Sequence, residues 1–260
     1  MSVQNDPNSG WGRPGGSLGP SGPFGASNAG SGQVGARPVA VEASRSFLTH
    51  AFAWMFAGLL LSAGVAVAVE GSPSVQQFAL DAFLPVMLLQ LVLVMGISWG
   101  INRLNATLAL GLFFVYAASM GLTLGIVITA YALANGSNAS VVEAFLSAAG
   151  MFGAAALYGA TTKRSLAGLG GILFMGVIGL VIAMVVNIFL ASSGLDLIIS
   201  IIGVVIFTAL TAYDVQRIQV GQLVTWTGSV EKAAVLGALR LYLDFVNLFL
   251  FLLRLFGNRR

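Results

Sequence analysis

From Ser46 onward the chain consists of long apolar runs broken by short polar or glycine-containing turns, and the runs are apolar on every face rather than along one stripe. Their limits are 46–69, 82–101, 106–132, 140–160, 168–190, 196–220 and 233–256. Each is close to the roughly 20 residues needed to cross a bilayer as a helix, so the pattern predicts about seven transmembrane helices. A membrane β-barrel would instead need segments of about ten residues alternating apolar and polar. Links such as GSPS at 71–74 and ANGSN at 134–138 leave little room for an extramembrane domain. The expected fold class is therefore an all-α membrane protein, with residues 45–260 as a seven-helix transmembrane domain.

Composition sharpens this picture at two places. Residues 1–44 are rich in Gly, Ser, Pro and Asn, as in GWGRPGGSLGPSGPFGASNAGSGQVGARP. They bury too little apolar area to offset the entropy of ordering, so a disordered arm is expected there. No separate apolar signal region precedes Ser46, and the first helix is expected to stay in the mature protein. Over the whole chain only 8% of residues are charged, and the mean hydropathy is +0.92. A soluble domain carries about 25%, so lipid must cover much of the surface. There is no Cys and one His, which excludes disulfides, thiolate metal sites and a histidine metal cluster. The formal net charge is +3, but the basic residues are scattered at helix ends, which argues against a nucleic-acid partner.

Those basic residues orient the bundle instead. With a cytoplasmic amino terminus, Arg37 and Arg45, Arg103, Lys163 and Arg164, and Arg217 and Lys232 all face the cytoplasm. The opposite loops carry Glu70, Asp81, Glu143 and Asp196 without Lys or Arg. Arg259 and Arg260 break the pattern, since seven full crossings put them outside. Dense small residues in YAASMGLTLG, AAGMFGAAALYGA and GLGGILFMGVIG are expected to serve close helix packing rather than to line a pore.

Candidate chemistry lies in ionisable groups inside apolar runs, each costing about 2.5–3.5 kcal/mol at a helix centre. Asp214 lies in FTALTAYDVQRI late in the sixth run, and Asp244 in LRLYLDFVNLFLFLL near the middle of the seventh. Consecutive spans run antiparallel. Asp244 is roughly 16 Å from the start of its run at Ala233, and Asp214 matches that depth if the sixth helix continues to about Leu223. Two carboxylates meeting there would resist losing both protons and act as a pH switch. The alternative is that each separately finds a donor and only ties helices together. Arg240, four residues before Asp244, and Arg217, three after Asp214, are candidate charge partners, with Arg103 a third; Arg254 is expected to snorkel outward. Gln90, Asn187 and Asn247 suit interhelical hydrogen bonds, with Tyr213 and Tyr242 beside the acidic motifs. His50 suits an interfacial position. No lysine lies mid-helix, which excludes a retinal Schiff base. No nucleophile and base combination stands out, so an enzyme is not expected, nor a cofactor.

At the acidic runs the sequence resembles the Bax inhibitor, or transmembrane BAX-inhibitor-motif, family, and its bacterial members in particular. The resemblance covers about Ser44 to Arg260 through AFAWMFAGLLLSAG, MGLTLG, MFGAAALYGATTKRSLAGLGG, FTALTAYDVQRI and LGALRLYLDFVNLFLFLLRLFGNRR. It implies a seven-helix bundle with the last helix near the centre, and an acidic pair at Asp214 and Asp244. It further implies a pH-sensitive calcium leak channel in a bacterial inner membrane, in which the paired carboxylates share a proton in one state and part in another. Ca²⁺ is then the expected permeant ion, and Asp214 and Asp244 a weak transit site for it, since Ca²⁺ prefers six to eight oxygens. Eukaryotic relatives are linked to suppression of cell death, and some bacterial relatives to regulation of a membrane protease. Two positions depart from the family pattern: Arg240, where a small or neutral residue is expected, and Gln90, where some members have an acid. Arg240 is expected to shift the pH of switching. Two rival functions share the same residues: a proton-coupled transporter, and an interaction protein that restrains a membrane partner such as a protease.

Overall fold

The computed structural model describes the backbone of residues 36–135 and 137–257 and, from Phe47 on, their side chains apart from Asn135. The chain divides into two units, 1–38 and 39–260, and the bundle belongs to the second. Residues 1–35, most of the expected arm, lie outside the described residues, as do Arg259 and Arg260. Among the described residues the elements are α1 (Ala36–Gly71), α2 (Pro73–Asp81), α3 (Phe83–Gly100), α4 (Ala106–Asn135), α5 (Ala139–Thr161), α6 (Leu169–Leu190), α7 (Ser193–Gln219), α8 (Gln222–Thr227) and α9 (Val230–Gly257).

Seven of these, all but α2 and α8, are long and apolar enough to span a membrane. They coincide with the seven apolar runs to within a few residues, except that α1 starts at Ala36, ten residues before its run. A helix satisfies all its backbone polar groups internally, which is why such runs must be helical in lipid. The chain is thus a multi-pass membrane protein in contact with the bilayer. The two short helices are too brief to show as spans. Helix α2 begins with Pro73, whose missing N–H costs nothing at a helix start. Helix α8 sits between Gly221 and Gly228, at φ +73° and +65°, and these left-handed residues turn the chain from α7 into α9.

Helix α9 is the hub, with 78% of its spanning window buried, against at most 39% in the other spans and 11% in α6. It packs against α4, α5, α7 and α8. The expectation of a central last helix is met. Lipid-facing helices can be uniformly apolar, but a central helix must also fit its neighbours, and α9 does so through Ala233, Ala234, Gly237 and Ala238 at one end. At mid-height, Tyr242 hydrogen-bonds Ser62 Oγ at 2.6 Å and meets Phe113 and Tyr116 edge-on, each at 5.7 Å. Small residues bring α1 and α4 into close contact there: a Cβ on Gly121 would lie 2.7 Å from the carbonyl oxygen of Ser62. The expectation that small residues in α4 serve packing is met at this position.

Candidate functional site

Helices α7 and α9 run antiparallel and are tied by ion pairs toward both ends. Arg240 Nη1 donates to Asp214 Oδ1 at 3.3 Å, and Arg254 Nη1 lies 3.9 Å from Asp196 Oδ1. These pairs fix the register between the two helices, with Asp214 level with Arg240 and Asp244 one turn, about 6 Å, further along α9.

That register corrects the expected one. Helix α7 stops at Gln219 rather than continuing to Leu223, so the two carboxylates are not at equal depth. They nonetheless line the same cavity of about 500 Å³, together with Arg217, Arg240 and Asn247. Both are buried, each 5% exposed. Ser98 of α3 and Gly170, Phe174 and Val177 of α6 complete part of the wall and bring no charge. The charged or titratable groups facing the carboxylates are therefore Tyr213 and Arg217 from α7 and Arg240 from α9.

Arg240 serves the neighbouring helix rather than Asp244 on its own. Helical side chains lean toward the amino terminus, which tilts Arg240 away from Asp244 and toward Asp214. The order base then acid at i, i+4 is also the weaker one on a helix. Among the described residues, the buried side-chain atoms left without a hydrogen-bond partner are Arg240 Nε and Asp244 Oδ2. Buried polar atoms are rarely left so. The two groups that the pairing leaves over are thus a donor and an acceptor in one cavity.

The other expected partners are placed differently. Arg217 lines the cavity, but its Nε donates to Gln222 Oε1 at 2.8 Å and its guanidinium lies 5.4 Å from the Tyr213 ring centroid. Arg103 sits exposed on the turn between α3 and α4 and forms no ion pair with Asp214 or Asp244. Arg254, expected to snorkel outward, reaches Asp196 in the first turn of α7 and lies 5.8 Å from the Phe251 ring centroid. Gln90 makes the expected interhelical bond, donating Nε2 to Thr123 Oγ1 at 2.9 Å. Asn187 and Asn247 do not: Asn187 Oδ1 accepts from Ser192 N at 3.1 Å in the α6–α7 turn, and Asn247 Nδ2 donates to Leu243 O at 2.8 Å within α9. One residue passed over in the sequence clamps the site from outside. Gln216 accepts from Leu166 N at 2.7 Å and donates to Arg164 O at 2.8 Å, fastening the α5–α6 loop to α7.

As a metal site the arrangement is sparse. No group of three or more His, Cys, Asp or Glu residues gathers among the described residues, and Asp214 is engaged by Arg240. Two carboxylates, one of them engaged by an arginine, fall short of the six to eight oxygens that Ca²⁺ prefers.

Comparison with known proteins decides the family. A family model described as "Inhibitor of apoptosis-promoting Bax1" matches residues 44–260, all seven spans included. The chain belongs to the Bax inhibitor family. It is 43% identical over 222 residues to "Inner membrane protein YbhL" of Escherichia coli K12, covering 83% of this chain and 93% of that protein. A protein of Deinococcus radiodurans is 43% identical over 217 residues, covering 83% and 91%. One of Borreliella burgdorferi is 41% identical over 219 residues, covering 82% and 92%. These matches extend along almost the full length of the relatives, so in this Bax inhibitor family member the whole bundle, and not one motif, carries the likeness.

Proposed function

We propose that this protein is a pH-sensitive cation leak channel of a bacterial inner membrane, conducting Ca²⁺ through the bundle and gated at Asp214 and Asp244. The observation that carries the reading is the single cavity holding both carboxylates, with Asp214 bound to Arg240 while Asp244 Oδ2 and Arg240 Nε are left without partners. The inner-membrane location follows the name of the Escherichia coli relative. No catalytic step and no cofactor enter this reading. Its partners are the lipid bilayer, Ca²⁺ and protons.

The leftover pair suggests the gate. When Asp244 gives up its proton, its carboxylate takes the free Arg240 Nε, and one guanidinium then bridges the acids of α7 and α9. That bridge offsets one of the two negative charges, Arg217 in the same cavity faces the other, and the second bond steadies the guanidinium that ties α7 to α9. Protonation of Asp244 removes the second bond and leaves the Arg240–Asp214 contact at 3.3 Å as the tie between the helices there, so that they part more easily. Flux is accordingly expected to rise as pH falls, and repulsion between bare carboxylates, which would give the opposite order, governs only when Arg240 is absent. Ca²⁺ flux into proteoliposomes across a pH series tests this: Asp244→Asn should flatten the profile, and Arg240→Ala should reverse its slope. A wild-type profile in both variants would refute the gate. Saturable Ca²⁺/H⁺ exchange in place of a leak would show a transporter instead.

A further inference from the structure

Another cavity, of about 270 Å³, lies between α1, α4, α5 and α9 and shares no residue with the carboxylate site. Its mouth opens between α1 and α5, where Ala63, Val142, Phe145 and Leu146 are exposed. Its floor is the hub helix, with Val246 2% and Phe249 6% exposed. Phe145 stands at the mouth, edge-on to Phe245 at 5.8 Å and to Phe249 at 6.4 Å. Among the described residues that line the cavity, Ser62 is the one polar side chain. Its hydroxyl is already engaged, donating to the carbonyl oxygen of Ala117 at 2.7 Å and meeting the Tyr242 hydroxyl at 2.6 Å. Helix α5 has 23 residues from Ala139, about 34 Å, so Val142 and Leu146 lie about 5 and 10 Å along it. The hydrocarbon core is roughly 30 Å thick, which puts the mouth in the acyl region of the leaflet on the side of the α4–α5 turn.

We propose that this cavity is a binding site for one acyl chain of a bilayer phospholipid with a zwitterionic, amine-bearing headgroup, the chain entering between α1 and α5 and reaching α9. The site is independent of the leak-channel reading. Water does not settle in a cavity whose walls are apolar and whose polar group is engaged. Walls that face no atoms forfeit dispersion contacts, and a mouth that opens into hydrocarbon meets acyl chains. A chain that enters exchanges its neighbours in the bilayer for Phe145, Phe245 and Phe249, so packing rather than a hydrophobic driving force holds it. The headgroup follows from the charge at the rim. Glu143 is exposed directly after Val142, and Glu70, also exposed, accepts from Asn138 Nδ2 at 2.9 Å one turn before Val142. No Lys or Arg occurs in residues 70–81 or 134–143, the segments that carry these acids. Two carboxylates without a basic partner attract an ammonium and repel a headgroup of net negative charge.

The absence of cysteine from the chain allows a direct test. Single-cysteine variants of the full chain, Val246→Cys, Leu248→Cys and Val205→Cys, are reconstituted with a phosphatidylethanolamine that carries a thiol-reactive group midway along one acyl chain. Adduct formation is followed by intact-protein mass. Val205, 63% exposed, is the lipid-facing reference, and Leu248, 0% exposed, is the buried one on another face of α9. Val246→Cys should react at nearly the rate of Val205→Cys and about tenfold faster than Leu248→Cys, although Val246 and Leu248 are both buried. Equally slow reaction of Val246→Cys and Leu248→Cys would overturn the site. Ala63→Phe fills the mouth and should slow Val246→Cys about tenfold while leaving Val205→Cys unchanged; an unaltered Val246→Cys rate would overturn entry between α1 and α5. A phosphatidylglycerol probe with the same chains should react several-fold more slowly with Val246→Cys and equally with Val205→Cys, and equal rates at both positions would overturn the headgroup assignment. Protection of Val246→Cys that is relieved by diluting the protein in the vesicles would show a second copy seated there and would also overturn the lipid site.

Discussion

Removing the guanidinium of Arg240 strands a buried carboxylate, and the size of the effect follows from the geometry. Two unit charges 3.3 Å apart attract by about 5 kcal/mol at an effective dielectric of about 20. The Arg240 side chain is 32% exposed, so solvent screens part of that attraction, and desolvation of the pair offsets more. We take about 2 kcal/mol as the loss for Arg240→Met, which keeps the aliphatic stem. Asp214→Asn should cost less, because the amide retains a hydrogen-bond acceptor for Arg240. In the double variant neither charge is left stranded, so it should be about as stable as the milder single variant. The coupling energy is expected at about 1–2 kcal/mol, well above the roughly 0.5 kcal/mol within which independent sites add. Equilibrium unfolding of the purified protein by SDS in mixed micelles, monitored by tryptophan fluorescence, gives all four stabilities. Additive single costs would refute the pairing, and with it the register that places Asp244 one turn beyond Asp214.

Other outcomes can be checked alongside it. Asp214→Asn, like Asp244→Asn, should flatten the pH dependence of Ca²⁺ flux in proteoliposomes; a wild-type profile in Asp214→Asn would separate that residue from the gate. In α4, Gly121→Ala should destabilise by about 1–3 kcal/mol because its Cβ meets the Ser62 backbone. Gly111→Ala has nothing within 4 Å of its Cβ and should be neutral or slightly stabilising; equal effects in the same SDS titration would contradict the close α1–α4 packing. Cysteines at Lys163 and Ser137, in loops at opposite ends of α5, should be labelled from the cytoplasmic and outer sides respectively. Labelling of the Lys163 position from outside would invert the topology.

Sequence by itself determined the spans and their number. A run of apolar residues long enough to cross lipid has no alternative to helix, because every unpaired backbone group in hydrocarbon is costly. It also singled out Asp214 and Asp244, since the other carboxylates in the runs, Glu143 and Asp196, lie within four residues of an end. The partners of those acids were not legible. Arg240 and Arg217 were candidates by spacing and Arg103 by its place at the end of the second run, and the choice fell to the side-chain tilt of α9 and to where α7 ends, which Gly221 sets through its left-handed turn. The Arg254–Asp196 pair was missed for the same reason. Its members looked like separate interfacial residues until antiparallel packing placed one beside the other. The bonds of Asn187 and Asn247 likewise turned inward to their own turn and helix, because local acceptors and donors were nearer than a neighbouring span. Hydropathy along a chain records the cost of meeting lipid residue by residue, whereas a charge pair or a cavity exists only between helices. Their register and rotation are decided by packing, and that is where the tertiary structure adds what the sequence lacks.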